Sequence, residues 1–173
     1  FKRVGAPHRF QEYVIEYLCQ ARYADTMDCT EDAIDRALAE DLSSGDITTD
    51  SLITPDTPGK GKLIVKEDGI LAGIEVAARV FNKVEPSLDF QELIHDGSKV
   101  SSGDVVATVC GSVSGILKAE RTALNFLQHM SGIATTTAKY VREVSGLRAR
   151  ILDTRKTIPG MRYLEKYAVR AGG

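Results

Sequence analysis

Two adjacent cations, Arg155 and Lys156, lie between the hydroxyl residues Thr154 and Thr157 and directly follow Asp153. A guanidinium presents a planar fork that matches a carboxylate or phosphate, whereas an ammonium acts as a compact point charge. Two neighbouring like charges repel unless an anion lies between them. The pattern therefore indicates either a site for an anionic ligand or a solvated turn in which Asp153 neutralises one cation.

The elements on either side must position this cationic cluster. A short apolar strand is predicted over residues 149–152, and Pro159-Gly160 ends the cluster ahead of a helix predicted over residues 161–170. In α/β folds, ligands bind at the carboxyl ends of parallel strands. We therefore expect the cluster to lie at such a strand end.

A second polar group recurs at helical spacing. Arg121, Asn125 and Gln128 occupy positions i, i+4 and i+7 of a helix predicted over residues 117–130, whose opposite side is apolar. Such a stripe could meet an anion or a partner chain, or it could simply face solvent. We interpret the neighbouring His129 as a surface or packing histidine.

Composition limits the class of ligand. The 173 residues are 43% hydrophobic and carry a formal net charge of −2, which argues against a nucleic-acid partner. Residues 140–173 hold eight Lys/Arg against three Asp/Glu, so a basic field stands in an otherwise acidic chain. That distribution suits a small anionic ligand. No stretch approaches the roughly 18 apolar residues that span a membrane.

The cysteines and termini indicate a cytoplasmic protein. Cys19, Cys29 and Cys110 are odd in number and far apart, so neither a disulfide framework nor a zinc site is expected. No signal peptide is visible. The chain begins with Phe1, so its natural start is expected to be missing or processed.

The elements before the cluster predict two kinds of architecture. Helices are expected over residues 8–22 and from Thr30 as an N-cap, followed by an α+β layer of short strands and one helix. The predicted layer comprises a strand at 62–66, a hairpin turn at Asp68-Gly69 with a return strand at 70–73, a helix at 75–84, and strands at 90–94 and 105–109. Two further helices, 117–130 and 133–144, then precede the strand at 149–152, which is typical of a parallel α/β unit.

Four stretches make this chain resemble the quinolinate phosphoribosyltransferase family, also called carboxylating nicotinate-nucleotide pyrophosphorylases. They are Glu40–Thr48, Ala119–Thr135, Asp153–Gly160, and Leu164–Val169 with Gly172-Gly173. The resemblance covers roughly residues 30–173. It implies a sandwich-like α/β domain over 30–115 and the beginning of an α/β-barrel catalytic domain over 116–173. Residues 1–29 add nothing to the resemblance, and their apolar spacing predicts a helical N-terminal extension.

The resemblance also implies a reaction. Family members join quinolinate to phosphoribosyl pyrophosphate with Mg2+, giving nicotinate mononucleotide, pyrophosphate and carbon dioxide for NAD synthesis. They are dimers or larger, and each site takes an arginine from the neighbouring subunit. The family continues beyond the Gly-Gly with metal and ribose ligands, so this chain is expected to be a truncated and inactive piece that holds no metal ligands itself.

Individual roles follow from the matching positions. Arg121 matches the arginine given to the neighbouring subunit, and Arg155 matches the carboxylate clamp within the subunit. Lys156 matches the catalytic lysine that contacts the phosphoribosyl donor. Thr154 and Thr157 are expected to offer hydroxyls to the substrate.

Three alternatives stay open on sequence alone. A related phosphoribosyltransferase could act on another aromatic acid, and a fragment of this kind could serve only in dimerisation. A biotinyl or lipoyl swivel module is suggested by the strand–turn pattern from His95 to Thr108, but the expected hairpin tip, Cys110–Gly115, has no lysine.

Overall fold

The computed structural model describes residues 24–43, 45–54 and 57–173. The helix predicted over residues 8–22 lies outside this range. The elements in chain order are α1 (Ala24–Leu42), α2 (Ile47–Leu52), β1 (Pro58–Ile64), β2 (Gly69–Ile70), α3 (Ile74–Val84), β3 (Asp89–Glu92), β4 (Lys99–Val100), β5 (Val105–Ser112), α4 (Val113–Glu143) and α5 (Arg162–Ala171). Together they form a mixed helix-and-sheet fold with open sheets.

The larger sheet is antiparallel, with β5 between β1 and β3. Lys62 lies opposite Thr108 and Phe90 opposite Val109, and the β1–β5 register shifts at Leu63/Ile64. The buried side of α3 covers this region, and the Phe81 ring lies 5.4 Å from that of Phe90. The alternating pattern of these strands therefore folds as one layer, with its apolar side turned toward helices.

The hairpin prediction at Asp68-Gly69 is wrong. The return strand reduces to Gly69–Ile70, which pairs with Lys99–Val100 rather than with β1. The Ile70 amide donates to Thr135 Oγ1 at 2.8 Å, so α4 draws this strand away from β1. A turn motif predicts where the chain changes direction. Which strand the following residues pair with depends on their tertiary contacts.

The two helices predicted over 117–130 and 133–144 are one helix of 31 residues, α4. It begins at Val113, within the several residues around 115 where a domain boundary is predicted. Ser131-Gly132 favours a break, and an interior glycine costs up to about 1 kcal/mol relative to alanine. The buried face continues through Met130 and Ala134, and Ser131 Oγ accepts from the Ala72 amide at 3.0 Å. Packing before and after Gly132 therefore outweighs the local preference for a helix break.

Helix α1 already includes residues 24–29, so the N-cap prediction at Thr30 is also wrong. Residues 24–29 contain no glycine or proline to stop a helix. Thr30 is instead buried inside the helix. A capping residue type thus does not start a helix when the preceding residues can also be helical.

The strand predicted over residues 149–152 does not form. Residues 149–154 have no regular structure, and the Leu152 residue is 81% exposed. A strand exists only beside another backbone that accepts its hydrogen bonds, and none of the strands in the described residues lies alongside this segment. Ile151 and Leu152 therefore favour a strand but have no sheet to join among the described residues.

Helix α5 packs against α4 and holds the end of the chain on the core. Leu164 and Ala168 are buried, and the Gly172 backbone lies tightly against Ala134 and Thr137. Across the part of the chain described, no helix combines the length and apolarity that a membrane crossing needs. The packed body from β1 to α5 is thus the support on which residues 153–157 are held.

Candidate functional site

Arg121 lies near the start of α4 with its side chain 71% exposed. Its Nη1 donates to Asp41 Oδ1 at 2.8 Å, and Asp41, at the end of α1, is only 21% exposed. The hydrogen bond and charge of Asp41 raise the pKa of the guanidinium above its ordinary value. The stripe of Arg121, Asn125 and Gln128 faces outward, so solvent or a partner can reach it.

Two further carboxylates lie at the same end of α4. Asp46 caps α2 by accepting from the Thr49 amide at 3.0 Å and hydroxyl at 2.6 Å. Those bonds, with a smaller contribution from the charges of Arg121 and Lys118, lower the pKa of Asp46. Lys118 Nζ lies 2.6 Å from Asp50. Each cation of this turn therefore faces an acid supplied by residues 41–50.

Arg155 and Lys156 are placed differently. Both are exposed, and neither side chain has a carboxylate partner among residues 24–43, 45–54 and 57–173. Asp153, which the solvated-turn alternative assigns to one of them, pairs with Lys166 of α5 at 3.0 Å. Neutralisation by Asp153 is therefore wrong, and the two adjacent positive charges form no ion pair within the described residues.

The two threonines shape the loop. Thr154 Oγ1 accepts from the Lys156 amide at 3.1 Å, and Thr157 Oγ1 accepts from Arg162 Nε at 3.2 Å. Each oxygen is used as an acceptor, so its O–H remains able to donate to a ligand. The Thr154 bond sets the backbone around Arg155, and the Thr157 bond ties the loop to the first residue of α5.

Glu165 ties the end of the cluster to both helices. Its Oε2 accepts from the Ile158 amide at 3.3 Å, and its Oε1 lies 3.1 Å from His129 Nε2 on α4. The Glu165 side chain is 13% exposed. His129 therefore has a specific partner that its sequence context did not reveal. The separate bond from the Ile158 amide to Glu165 fixes the backbone two residues after Lys156.

An open cleft of about 700 Å³ lies between α1, α4 and the residues that follow the cluster. Its walls include Arg36, Asn125, His129 and the backbone turn at Gly160. The five predicted site residues are not among its lining: Arg121, Thr154, Arg155, Lys156 and Thr157. Within the described chain, Arg121 bonds to Asp41, whereas residues 154 and 157 bond to Lys156 and Arg162, so the two cationic groups are held by different elements.

Two known protein-family patterns together match residues 46–173 of this chain except residue 132. The pattern described as "Quinolinate phosphoribosyl transferase, N-terminal domain" matches residues 46–131, and that of the C-terminal domain matches residues 133–173. The chain belongs to the quinolinate phosphoribosyltransferase family.

Individual relatives agree. A nicotinate-nucleotide pyrophosphorylase [carboxylating] of Mycobacterium leprae is 46% identical over 149 residues, which are 84% of this chain and 52% of the relative. A probable enzyme of the same name from Synechocystis is 45% identical over 136 residues, 79% of this chain and 46% of the relative. The crystal structure of NadC from Streptococcus pyogenes superposes with a TM-score of 0.80 at 45% identity, covering 83% of this chain and 51% of that one. The chain thus spans about half the length of the relatives it matches.

The Mg2+ that the family implies can be tested against the residues present. Among the described residues, no group of three or more His, Cys, Asp or Glu side chains could hold a metal ion. Asp41 and Asp46 are already committed to Arg121 and Thr49. These residues do not fit a metal site, and the chemistry below is assigned to cations and hydroxyls of the chain.

Asp41 and Glu165 were not predicted as site residues. Both stand inside stretches that carry the family resemblance, Glu40–Thr48 and Leu164–Val169, which was the one available signal. Their partners lie 80 and 36 residues away along the chain, so sequence spacing could not have revealed them.

Proposed function

We propose that the full-length protein transfers a phosphoribosyl group from phosphoribosyl pyrophosphate to quinolinate with decarboxylation. The products are nicotinate mononucleotide, pyrophosphate and carbon dioxide, so the enzyme is a pentosyltransferase of NAD biosynthesis. The observation that carries this proposal is the pair Arg155 and Lys156, which are adjacent, exposed and without acid partners in the described chain. We propose that the 173 residues alone are inactive.

Each side chain has a task that its chemistry suits. The Arg155 fork binds one quinolinate carboxylate in two hydrogen bonds, and the Lys156 ammonium contacts the phosphoribosyl donor as the catalytic lysine. The hydroxyls of Thr154 and Thr157 donate to substrate oxygens. Because residues 153, 157 and 158 are tied to α5, the cations are held on a defined support.

The reaction requires orientation and charge rather than a protein nucleophile. The bond between the anomeric carbon and pyrophosphate breaks, the pyridine nitrogen forms the new bond, and the ring nitrogen becomes positive. That charge stabilises the electron pair left on the ring when the adjacent carboxylate leaves as carbon dioxide, and a proton then takes up the pair. Cations placed beside the leaving pyrophosphate favour its departure. Mg2+ would accompany the donor, with ligands outside the described residues.

The second guanidinium points to a shared site. Arg121 is 71% exposed, and only its Nη1 is used by Asp41, so the rest of the guanidinium can reach a neighbouring molecule. We propose that it serves the neighbouring subunit of a homodimer or larger assembly, where it clamps the second quinolinate carboxylate. A cytoplasmic location is part of the same proposal.

Arg155→Ala in the full-length protein tests the carboxylate clamp. Removing one partner of a desolvated charge pair should weaken quinolinate binding by roughly 2–5 kcal/mol. Steady-state kinetics with each substrate varied in turn should show the loss in the KM for quinolinate. Arg148→Ala is the matched control, because Arg148 is also exposed and without an acid partner in the described chain but lies outside the cluster. Unchanged kinetics in Arg155→Ala would remove Arg155 from the site.

Competition between quinolinate and nicotinate separates this proposal from a paralogue for another aromatic acid. Two carboxylate clamps should favour the dicarboxylate strongly over the monocarboxylate. Equal binding of the two acids would favour the paralogue. No turnover of either acid by the full-length protein would favour a dimerisation role.

A further inference from the structure

The stretch Glu40–Thr48 supports the family resemblance, yet nothing above assigns it a part in the chemistry. Its described residues, 40–43 and 45–48, belong to the end of α1 and the start of α2, and Asp41 contacts the first turns of α4. Asp41 reaches Arg121 from this stretch, and Asp46 places its negative charge close to both Arg121 and Lys118. The stretch therefore surrounds one end of α4 with acids.

The geometry at Arg121 leaves most of its fork open. Only Nη1 donates to Asp41, and a guanidinium has five N–H donors, so the remaining edge can meet a carboxylate. Lys118 lies one turn earlier at i, i+3 and is held separately by Asp50. Without Asp41, a long and 71% exposed side chain would sample many rotamers beside another cation.

We propose that Asp41 is a positioning residue for Arg121, which fixes the guanidinium so that its open edge meets the quinolinate bound at the neighbouring subunit. This inference rests on the proposed function. Asp41 touches no substrate. It acts through the orientation of Arg121, and Asp46 supports it by capping α2 and adding negative charge at the same turn.

The test uses the full-length protein and quinolinate kinetics. Asp41→Ala should raise the KM for quinolinate roughly three- to tenfold, with little change in the KM for phosphoribosyl pyrophosphate. Asp41→Asn keeps an acceptor oxygen and should show a smaller rise. A loss confined to thermal stability, with both KM values unchanged, would overturn the proposal.

Two neighbouring acids supply matched controls. Glu40→Ala removes the same charge one residue earlier, where the carboxylate has no hydrogen bond or ion pair within the described chain. Asp50→Ala removes another ion pair from α4, the one to Lys118. Both should keep the KM for quinolinate within about twofold of the original. An equal rise in either control would show a general charge effect and overturn the role of Asp41.

Mixed subunits give a readout that a purely structural role would not produce. When Asp41→Ala subunits are mixed with Lys156→Ala subunits, one site of each mixed dimer combines an intact cluster with an Arg121 that retains its own Asp41. At quinolinate concentrations well below KM, turnover by each mixed dimer should then approach half that of the original dimer. If Asp41 acts within its own subunit's site, that site stays defective and no such recovery occurs.

Arg121→Ala distinguishes the two proposals. If Arg121→Ala raises the KM for quinolinate and Asp41→Ala does not, the positioning role fails while the proposed function stands. If Arg121→Ala itself leaves the kinetics unchanged, the shared site fails, and the role of Asp41 fails with it.

Discussion

Helices α4 and α5 are well packed, whereas the segment that joins them, residues 144–161, is not. The helices bury Ala134, Leu164 and Ala168 against each other and the core. The connecting segment is mostly exposed and is held by a few bonds from α5. The difference shows that apolar residues such as Leu152 do not create order by themselves, because they need a neighbouring surface to cover them.

The largest expected effect tests the packed side of this comparison. Gly172→Ala should lower the free energy of unfolding by about 2–3 kcal/mol, because the added Cβ would overlap the Ala134 carbonyl oxygen and lie 2.7 Å from Thr137 Cβ. Urea unfolding measures the change.

Alanine substitutions at two other glycines serve as comparisons for Gly172→Ala. Gly132→Ala, on α4 with open space around it, should stabilise by roughly 0.5–1 kcal/mol. Gly160→Ala, in the connecting segment at φ +82°, should destabilise by roughly 1 kcal/mol through backbone strain. Equal losses at Gly172 and Gly160 would contradict the contrast between packed helices and exposed segment.

The next effect concerns the polar side of α5. The Tyr167 hydroxyl donates to Asp96 Oδ2 at 2.8 Å, and Asp96 also accepts from the Gly73 and Ile74 amides at the start of α3. Tyr167→Phe should cost about 1.5 kcal/mol, because the bond is made to a carboxylate in a half-buried place. Thermal unfolding at pH 7 measures the loss.

The same bond predicts a pH dependence. Burial, then the bond and charge of Asp96, raise the pKa of Tyr167 above its ordinary value of about 10. The folded protein therefore keeps the proton longer than the unfolded chain, so this stabilisation is complete below about pH 10 and declines as the pH rises further. The gap in stability between the original protein and Tyr167→Phe should narrow above that pH. A constant gap from pH 8 to 11 would contradict the assignment.

The smallest effect tests how the connecting segment is held. Glu165→Ala removes the acceptor of the Ile158 amide, so hydrogen exchange at that amide should accelerate by roughly fivefold, which corresponds to one hydrogen bond of about 1 kcal/mol. Glu165→Gln, which keeps an acceptor oxygen, should change it less.

Glu143→Ala serves as the control for this measurement, because Glu143 is an exposed acid at the end of α4 without a partner in the described chain. Exchange within α4 and α5 should stay the same in all three variants. Faster exchange throughout both helices would show that Glu165 stabilises the packed body rather than the segment.

Much of the layer before α4 could be predicted from residue patterns. The strand at Val105–Ser112 and the helix at Ile74–Val84 appear close to their expected positions, because alternating and helical apolar spacing directly reports a buried face. The Gly69–Ile70 pairing and the continuity of α4 through Gly132 were missed, because each depends on contacts with residues far away in sequence.

The candidate site shows the same division. Arg121, Thr154, Arg155, Lys156 and Thr157 could be selected from residue types and family resemblance, and their catalytic roles stay predictions. Whether their charges are neutralised could not be predicted. Asp153 stands two residues from Arg155 but pairs with Lys166, and the acid that meets Arg121 lies 80 residues earlier.

The sequence by itself determined which groups are covalent neighbours and which share a helix face, so the adjacent charges of Arg155 and Lys156 and the outward stripe through Arg121 follow from it directly. Only the tertiary structure decided which acids reach which cations and whether residues 149–152 find a strand to join. The physical reason is that ion pairs and β-pairing act across space over a few ångströms, and the fold alone determines which distant residues come that close.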